Sequence, residues 1–200
     1  MKSLYAMVCI CMLVLGGGIK DVKKEPVKKV LYTAAHEVQS YYTFQYNTFG
    51  KEKKYHFDPS DKLLSYDTYH YDKDGKRLKK VEFDASNKLL SYTTYEYDSG
   101  KRIKKSIYDP DNKLQWYFIY EYDSNGKKIK RSKYTPANEL HSYVMHTYNA
   151  KGKIVEKTAY NSAGTMTSKT VFEYDEYGRK TKKTIYDATD KVKEYAIYYY

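Results

Sequence analysis

In SYTTYEYDSG, residues 91–100, aromatic and polar side chains alternate with a period of two, and the run stops at a glycine. Stretches of eight or nine residues of this kind, rich in Tyr, Thr, Ile and Lys, recur along the chain and read as β-strands. Helix competes poorly, because β-branched residues and turn signals come too often for helices of useful length. Two kinds of turn separate the stretches. One is Tyr-Asp-x-x-Gly-Lys: YDKDGK (71–76), YDSNGK (122–127), YDEYGR (174–179). The other puts Asn or Asp in place of the glycine: FDASNK (83–88), YDPDNK (108–113), YDATDK (186–191). The Gly or Asn suits the left-handed position that ends a type I turn in a bulged hairpin, and the leading Asp caps the turn through its side chain. Pro59, Pro110 and Pro136 fall inside turns, where a fixed φ helps.

The turns recur with a period. Tyr or Phe stands at 32, 57, 83, 108, 134, 160 and 186, and glycine at 50, 75, 100, 126, 152 and 178. This is a repeat of about 26 residues with two single-residue deletions, in seven units, each of two halves of about thirteen. The first unit lacks its glycine, yet LYTAAHEVQSY (31–41) lies over KYTPANELHSY (133–143). The expected fold is all-β: an up-and-down antiparallel meander of about fourteen strands in one extended or curled sheet.

Strict alternation then assigns faces. In the unit from Gly126 it puts Lys128, Lys130, Ser132, Tyr134, Leu140, Ser142, Val144, His146 and Tyr148 on one face, with Tyr95, Tyr97, Tyr120, Tyr122, Phe172 and Tyr174 from neighbouring units. Ile129, Arg131, Tyr143 and Met145 go to the other, and Asp109 faces Lys113 as Asp123 faces Lys127. Both faces carry aromatics and charge, so a thick sandwich is not expected and at least one face should be wet. Lys and Arg stems would cover the Tyr rings. At the ends, KDVKKEPVKK (20–29) is a charged, Pro-protected edge, whereas YAIYYY (195–200) is an unprotected one through which chains could associate.

Composition sharpens this picture. Ile, Leu, Val and Phe are scarce for a charged chain, which by itself suggests disorder. The 27 tyrosines point the other way. Tyr has high strand propensity and a large apolar ring, so order here rests on tyrosine packing instead of an aliphatic core. The opening MKSLYAMVCICMLVLGGG reads as a secretory signal peptide over residues 1–18, too short in its apolar run to span a bilayer. Cys9 and Cys11 both lie in it, which leaves the remainder, 19–200, without thiols and without a transmembrane span. Loss of Lys2 leaves 35 basic against 25 acidic residues, a net charge of +10. Such a surface favours an acidic glycan, an anionic surface or another protein as partner, with nucleic acid a poor candidate. The location expected is the exterior, periplasm or outer surface of a bacterium.

No catalytic constellation stands out. His36, His56, His70, His141 and His146 sit in slots that other units fill with Tyr, Asn, Glu or polar residues, and alternation puts His141 and His146 on opposite faces. No Ser/His/Asp set and no phosphate loop is present, and acids recur only as turn residues. No cofactor or metal is expected, and the chain reads as a non-catalytic scaffold or extended binding surface. The candidate ligand-binding residues are the basic residues after the glycine turns, Lys76, Lys101, Lys127, Lys153 and Arg179 (with Lys51 in the same register), and the aromatic pairs Tyr95, Tyr97, Tyr120 and Tyr122. The basic set would form a comb along one sheet margin with teeth roughly 10 Å apart, two strands per tooth. Pairing of each lysine with its turn Asp would neutralise the comb.

The YDxxG[KR] signature, clearest at YDEYGR (174–179), resembles the YD repeats of the Rhs family. That resemblance covers most of 19–200 and implies a curled β-sheet; in large members such a sheet winds into a shell around a toxin. The spacing of 26 is longer than the usual YD unit, and seven units are too few to enclose a cargo. As an alternative function, the resemblance implies an Rhs-like, toxin-associated repeat fragment or effector.

Overall fold

The computed structural model describes residues 26–32 and 36–200. The signal-peptide segment, both cysteines and most of the charged N-terminal edge lie outside the described residues. Fourteen strands follow one another: β1 (Lys28–Tyr32), β2 (Val38–Asn47), β3 (Gly50–Phe57), β4 (Leu63–Tyr71), β5 (Arg77–Asp84), β6 (Leu89–Asp98) and β7 (Lys101–Tyr108). The second half comprises β8 (Leu114–Tyr122), β9 (Lys128–Tyr134), β10 (Leu140–Tyr148), β11 (Ile154–Asn161), β12 (Met166–Tyr174), β13 (Lys180–Tyr186) and β14 (Val192–Ile197). They form one antiparallel sheet in chain order, and each strand touches only the strand before and the strand after it. The sheet is a single open layer, as the repeat predicts. Among the described residues no helix is long and apolar enough to cross a membrane.

The turns follow the sequence signals. In YDSNGK, Gly126 N–H donates to the Asp123 carbonyl and Asp123 N–H to the Lys127 carbonyl, both at 2.9 Å. The Asp123 carboxylate accepts from the backbone N–H groups of Asn125 (3.0 Å) and Lys127 (2.8 Å). Asp123 and Lys127 thus meet through the backbone, and so do Asp109 and Lys113; neither forms the expected charge pair. Gly126 has φ 77°, and Asn87, Asn112 and Asn138 have φ between 63° and 68°. His36, aligned by sequence on Asn138, has φ 61°. One of the two deletions is absorbed by a tighter turn: Ser99 (φ 47°) and Gly100 (φ 79°) form a two-residue loop with the signs of a type I′ hairpin.

Each of the thirteen strand pairings contains one register shift. Glu121 pairs with Lys130 but Tyr122 with Lys128, so Ile129 is an extra, bulged residue. Leu64 is extra in the same way between β3 and β4. These bulges account for large apolar residues at the surface: Leu64, Leu78, Leu90 and Ile103, 37–44% exposed, all occupy the extra position. The bulges also overturn the strict face assignment. Directly paired residues point to the same side. Ser132 pairs with Tyr143 and Lys130 with Met145, while Arg131 pairs with Val144 and Tyr120. Lys130, Ser132, Tyr134 and Leu140 therefore share a face with Tyr143 and Met145, and Arg131 joins the opposite one. His141, at the extra position, packs its ring 5.0 Å from that of Trp116, on the same face as His146, contrary to the expected separation.

One face, here the ladder face, carries the repeat-defining aromatics in stacked pairs. Ring centroids are 5.0 Å apart for Tyr66–Phe83, 4.7 Å for Tyr92–Tyr108, 5.0 Å for Tyr117–Tyr134 and 4.8 Å for Tyr143–Tyr160. Tyr66 and Tyr117 donate onward to the side chains of Asn87 and Asn138, the left-handed residues of the next turn (2.8 and 2.9 Å), and Tyr92 bonds Asn112 likewise. The middle of this face is a spine of small residues, Val81, Ser106, Ser132, Thr158 and Thr184, all buried. Only Tyr41 and Val81 are buried apolar residues among those described, which fits packing by rings in place of an aliphatic core. On the far side of the spine, Lys104 meets Glu96, Lys130 meets Glu121 and Lys182 meets Glu173 at 3.3–3.6 Å.

Candidate polyanion-binding face

The opposite face has a different chemistry, built from two rows that run across the strands. In the central row, each odd strand contributes a cation and the preceding even strand an aromatic ring directly opposite. The pairs are Phe44/Lys54, Tyr69/Lys80, Tyr95/Lys105, Tyr120/Arg131, His146/Lys157 and Phe172/Lys183. The marginal row lies beside the glycine turns: Tyr71/Arg77, Tyr97/Arg102, Tyr122/Lys128, Tyr148/Ile154 and Tyr174/Lys180. Tyr95, Tyr97, Tyr120 and Tyr122 are thus brought onto one face, as alternation placed them.

The marginal tyrosines have a structural task. Beyond the last paired residues of each Asn-type hairpin the strands part at the glycine margin, and a carbonyl is left beside each bulge. Tyr71, Tyr97, Tyr122, Tyr148 and Tyr174 hydroxyls donate to the carbonyls of Lys51, Arg77, Arg102, Lys128 and Ile154 at 2.7–2.9 Å. Each unit is fastened to the one before by a phenol. The central row carries no such bond at Tyr95 or Tyr120. The Arg102 guanidinium covers Tyr95, with Cζ 4.5 Å from the ring centre, and reaches the Tyr97 hydroxyl at 3.3 Å through Nη2. Its Nε is buried with no hydrogen-bond partner. Lys105 and Arg131 flank the Phe118 ring at 5.0 and 5.6 Å.

Charge is divided unequally between the faces. From β6 to β13 the register places no Asp or Glu on this second face, whereas Arg102, Lys105, Lys128 and Arg131 all lie there, followed by Lys133, Lys157, Lys180 and Lys183. On the ladder face the same strands hold Glu96, Glu121, Glu156 and Glu173 against Lys104, Lys130, Lys169 and Lys182. The net positive charge of this half therefore sits on one side, here called the basic face.

The row has an internal contrast. At its start the buried Asp67 carboxylate meets Lys80 at 3.0 Å and Lys54 at 3.6 Å and accepts from the Tyr69 hydroxyl at 3.1 Å. Burial pulls the Lys80 ammonium down, but the hydrogen bond and charge of Asp67 hold it above its ordinary value. In later units Thr93, Phe118, Val144 and Thr170 occupy the Asp67 position. There, burial pushes Lys105 down, and Lys80, Arg131 and Arg102 push it further. Lys128 is lowered by burial and by Arg131, Lys157 and Arg102. Burial, with Lys128, Lys157 and Arg131, takes His146 down to about 4. Lys105 and Lys128 are half-buried cations that repel their basic neighbours and lack a counter-charge, and the same field keeps His146 neutral.

The basic residues after the glycine turns lie along the margin. A Cβ on Gly126 would stand 2.8 Å from Lys101 Nζ, one on Gly152 3.5 Å from Lys127 Cε, and one on Gly178 3.3 Å from Lys153 Cε. Each of these lysines rests across the next glycine turn. Only Arg179 of the set pairs with its turn carboxylate, Asp175, at 2.7 Å; among the described residues Lys76, Lys101, Lys127 and Lys153 form no ion pair. The central row Lys105, Arg131, Lys157 and Lys183 was missed by sequence reasoning because the bulges move Arg131 to the other face. Adjacent apolar pairs such as Leu63–Leu64 and Leu89–Leu90, which break a two-residue period, were the available signal.

Among the described residues no group of three or more His, Cys, Asp or Glu is placed to hold a metal ion. A hollow of about 610 Å3 opens beside Phe49, lined among others by Tyr66, Thr68, His70, Val81 and Phe83; Glu52 is the one carboxylate in its lining.

No protein-family model and no curated protein matches the chain. Among solved structures, it is similar to the Tc holotoxin pore of Photorhabdus luminescens, with TM-score 0.44, 15% identity and 85% of this chain covered. The likeness to the TcdB2–TccC3 complex has TM-score 0.44 and 16% identity over 85% of the chain. The chain spans 9% and 10% of the length of those two chains. A porin-like protein from Bacteroides uniformis matches with TM-score 0.36 and 12% identity, over 84% of this chain and 88% of its own.

Proposed function

We propose that this protein is a non-catalytic repeat scaffold, secreted or held at the bacterial envelope, whose sheet serves as an extended binding surface for anionic polymers. The observation that supports this reading is the segregation of charge: from β6 to β13 one face of an open layer carries cations and aromatic rings and no carboxylate. Charge spread for solubility alone has no reason to leave half-buried lysines side by side on one face while balancing the other. Aromatic rings offer flat apolar surface to sugar rings, and neighbouring cations neutralise acid groups. Repetition lets weak single contacts add into avidity. Passage over immobilised heparin and immobilised polygalacturonate tests the reading. Retention at low salt with steep release as salt rises supports it, since such contacts are screened within about 10 Å at 0.1 M salt. Passage through both matrices at low salt overturns it.

A further inference from the structure

We infer that the polymer site is the central row of the basic face between β6 and β13, and that its occupant is a linear acidic glycan lying across the strands. This rests on the polyanion reading above and adds its location, its extent and its ligand class. Three observations place the site there. Lys105, Arg131, Lys157 and Lys183 recur at the same height on β7, β9, β11 and β13, so neighbouring cations are spaced by two strands, roughly 10 Å. Each stands opposite Tyr95, Tyr120, His146 or Phe172, so rings and charges alternate along the row. The row also has an end. Asp67, and Glu82 beside Lys80, pair with Lys54 and Lys80, the two cations that would extend it toward β3.

The charge spacing selects the ligand. A nucleic acid strand presents one phosphate about every 3.4 Å, far denser than these cations. A bilayer surface would meet a plane of exposed cations, whereas here most row cations are half-buried among rings. A glycan with one carboxylate or sulfate on every second sugar presents charge at a spacing of the order of the row's, with sugar faces between charges to lie on the rings. Bound acid groups would supply the counter-charge that Asp67 and Glu82 supply to Lys54 and Lys80.

The test compares three proteins by titration with defined hyaluronate and unsulfated chondroitin oligosaccharides, each with one carboxylate on every second sugar. Lys105→Gln/Arg131→Gln/Lys157→Gln should weaken binding at least tenfold, and Lys101→Gln/Lys127→Gln/Lys153→Gln, along the margin, less than threefold. The reverse order overturns the inference while leaving the polyanion reading in place; no binding by the unmodified protein overturns the inference, and the polyanion reading falls with it where heparin and polygalacturonate also fail to retain the protein. Lysine acetylation of the unmodified protein gives a readout that needs no variant. Bound glycan should protect Lys105 and Lys157 and leave Lys104 and Lys130 of the ladder face reactive, and equal protection on both faces contradicts the site. Single-stranded DNA or phosphatidylserine vesicles binding more tightly than either glycan at equal salt contradicts the ligand class.

Discussion

At the scale of single residues, the asymmetry between the two turn types has a physical cause. Glycine and asparagine both tolerate positive φ, but only asparagine offers an acceptor. Asn138 holds φ 63° and accepts the Tyr117 hydroxyl at 2.9 Å. Asn138→Gly should therefore keep the hairpin and cost about 0.5–1.5 kcal/mol for the lost bond. Asn138→Val should cost more, because a β-branched residue is strained at φ > 0. Urea denaturation measures both, and equal stability of the two variants would show that backbone conformation plays no part. His146 predicts a pH effect of definite sign. Its folded value of about 4 lies below the unfolded value of 6.5, so the unfolded chain binds more protons between them. The stability associated with neutral His146 is complete above about pH 6.5 and falls as pH drops towards 4. Replacing it by Phe, the residue Phe172 supplies to the same row, should flatten melting temperature over that window. An unchanged slope would mean His146 titrates normally. The turn carboxylates act lower: the Ser60, Ser86 and Thr189 hydroxyls hold Asp58, Asp84 and Asp187 below the ordinary carboxylate value, so their contribution is lost only as pH falls below about 4.

At the scale of elements, the hairpin is a strand pair with one bulge, and the bulge is answered by a tyrosine from the next unit. Tyr122→Phe removes the donor to the Arg102 carbonyl while keeping the ring, and should cost about 1–3 kcal/mol if that carbonyl stays dry. Amide exchange should quicken at the glycine margin of β7–β9 and stay unchanged at the Asn turns; uniform quickening would argue against a local fastener. The same elements show what the sequence could convey. Strand number, turn positions and the left-handed Gly and Asn residues were legible because turn chemistry is local and repeats; the positive φ of His36 and Ser99 was not. Facing was misread, because one extra residue per hairpin reverses parity. Its trace in the sequence is a broken two-residue period at pairs such as Leu63–Leu64, and Ile129, between two lysines, looks no different from a residue in register. The candidate tyrosines kept their shared face despite the bulges, and Arg131 did not keep its own. Its neighbours in the row can be recognised only once Tyr120 is known to stand opposite it.

At the scale of the whole molecule, an open single layer has two surfaces and each unit touches only its neighbours, so properties accumulate along the chain. The ladder face devotes its side chains to internal order: stacked rings, a small-residue spine and Glu–Lys pairs. The basic face fastens units at its margin and leaves its central cations from β7 on without carboxylates, Asp67 and Glu82 both serving Lys80. Burying like charges together opposes folding, and a bound polyanion reverses that cost by supplying the missing charge. A crystal structure of the protein bound to a uronate oligosaccharide would decide whether the basic face is a glycan site. The sugar chain should lie across β7 to β13, with acid groups beside Lys105, Arg131 and Lys157 and sugar faces against Tyr95 and Tyr120. Density along the glycine margin at Lys101, Lys127 and Lys153, or on the ladder face, would contradict that placement.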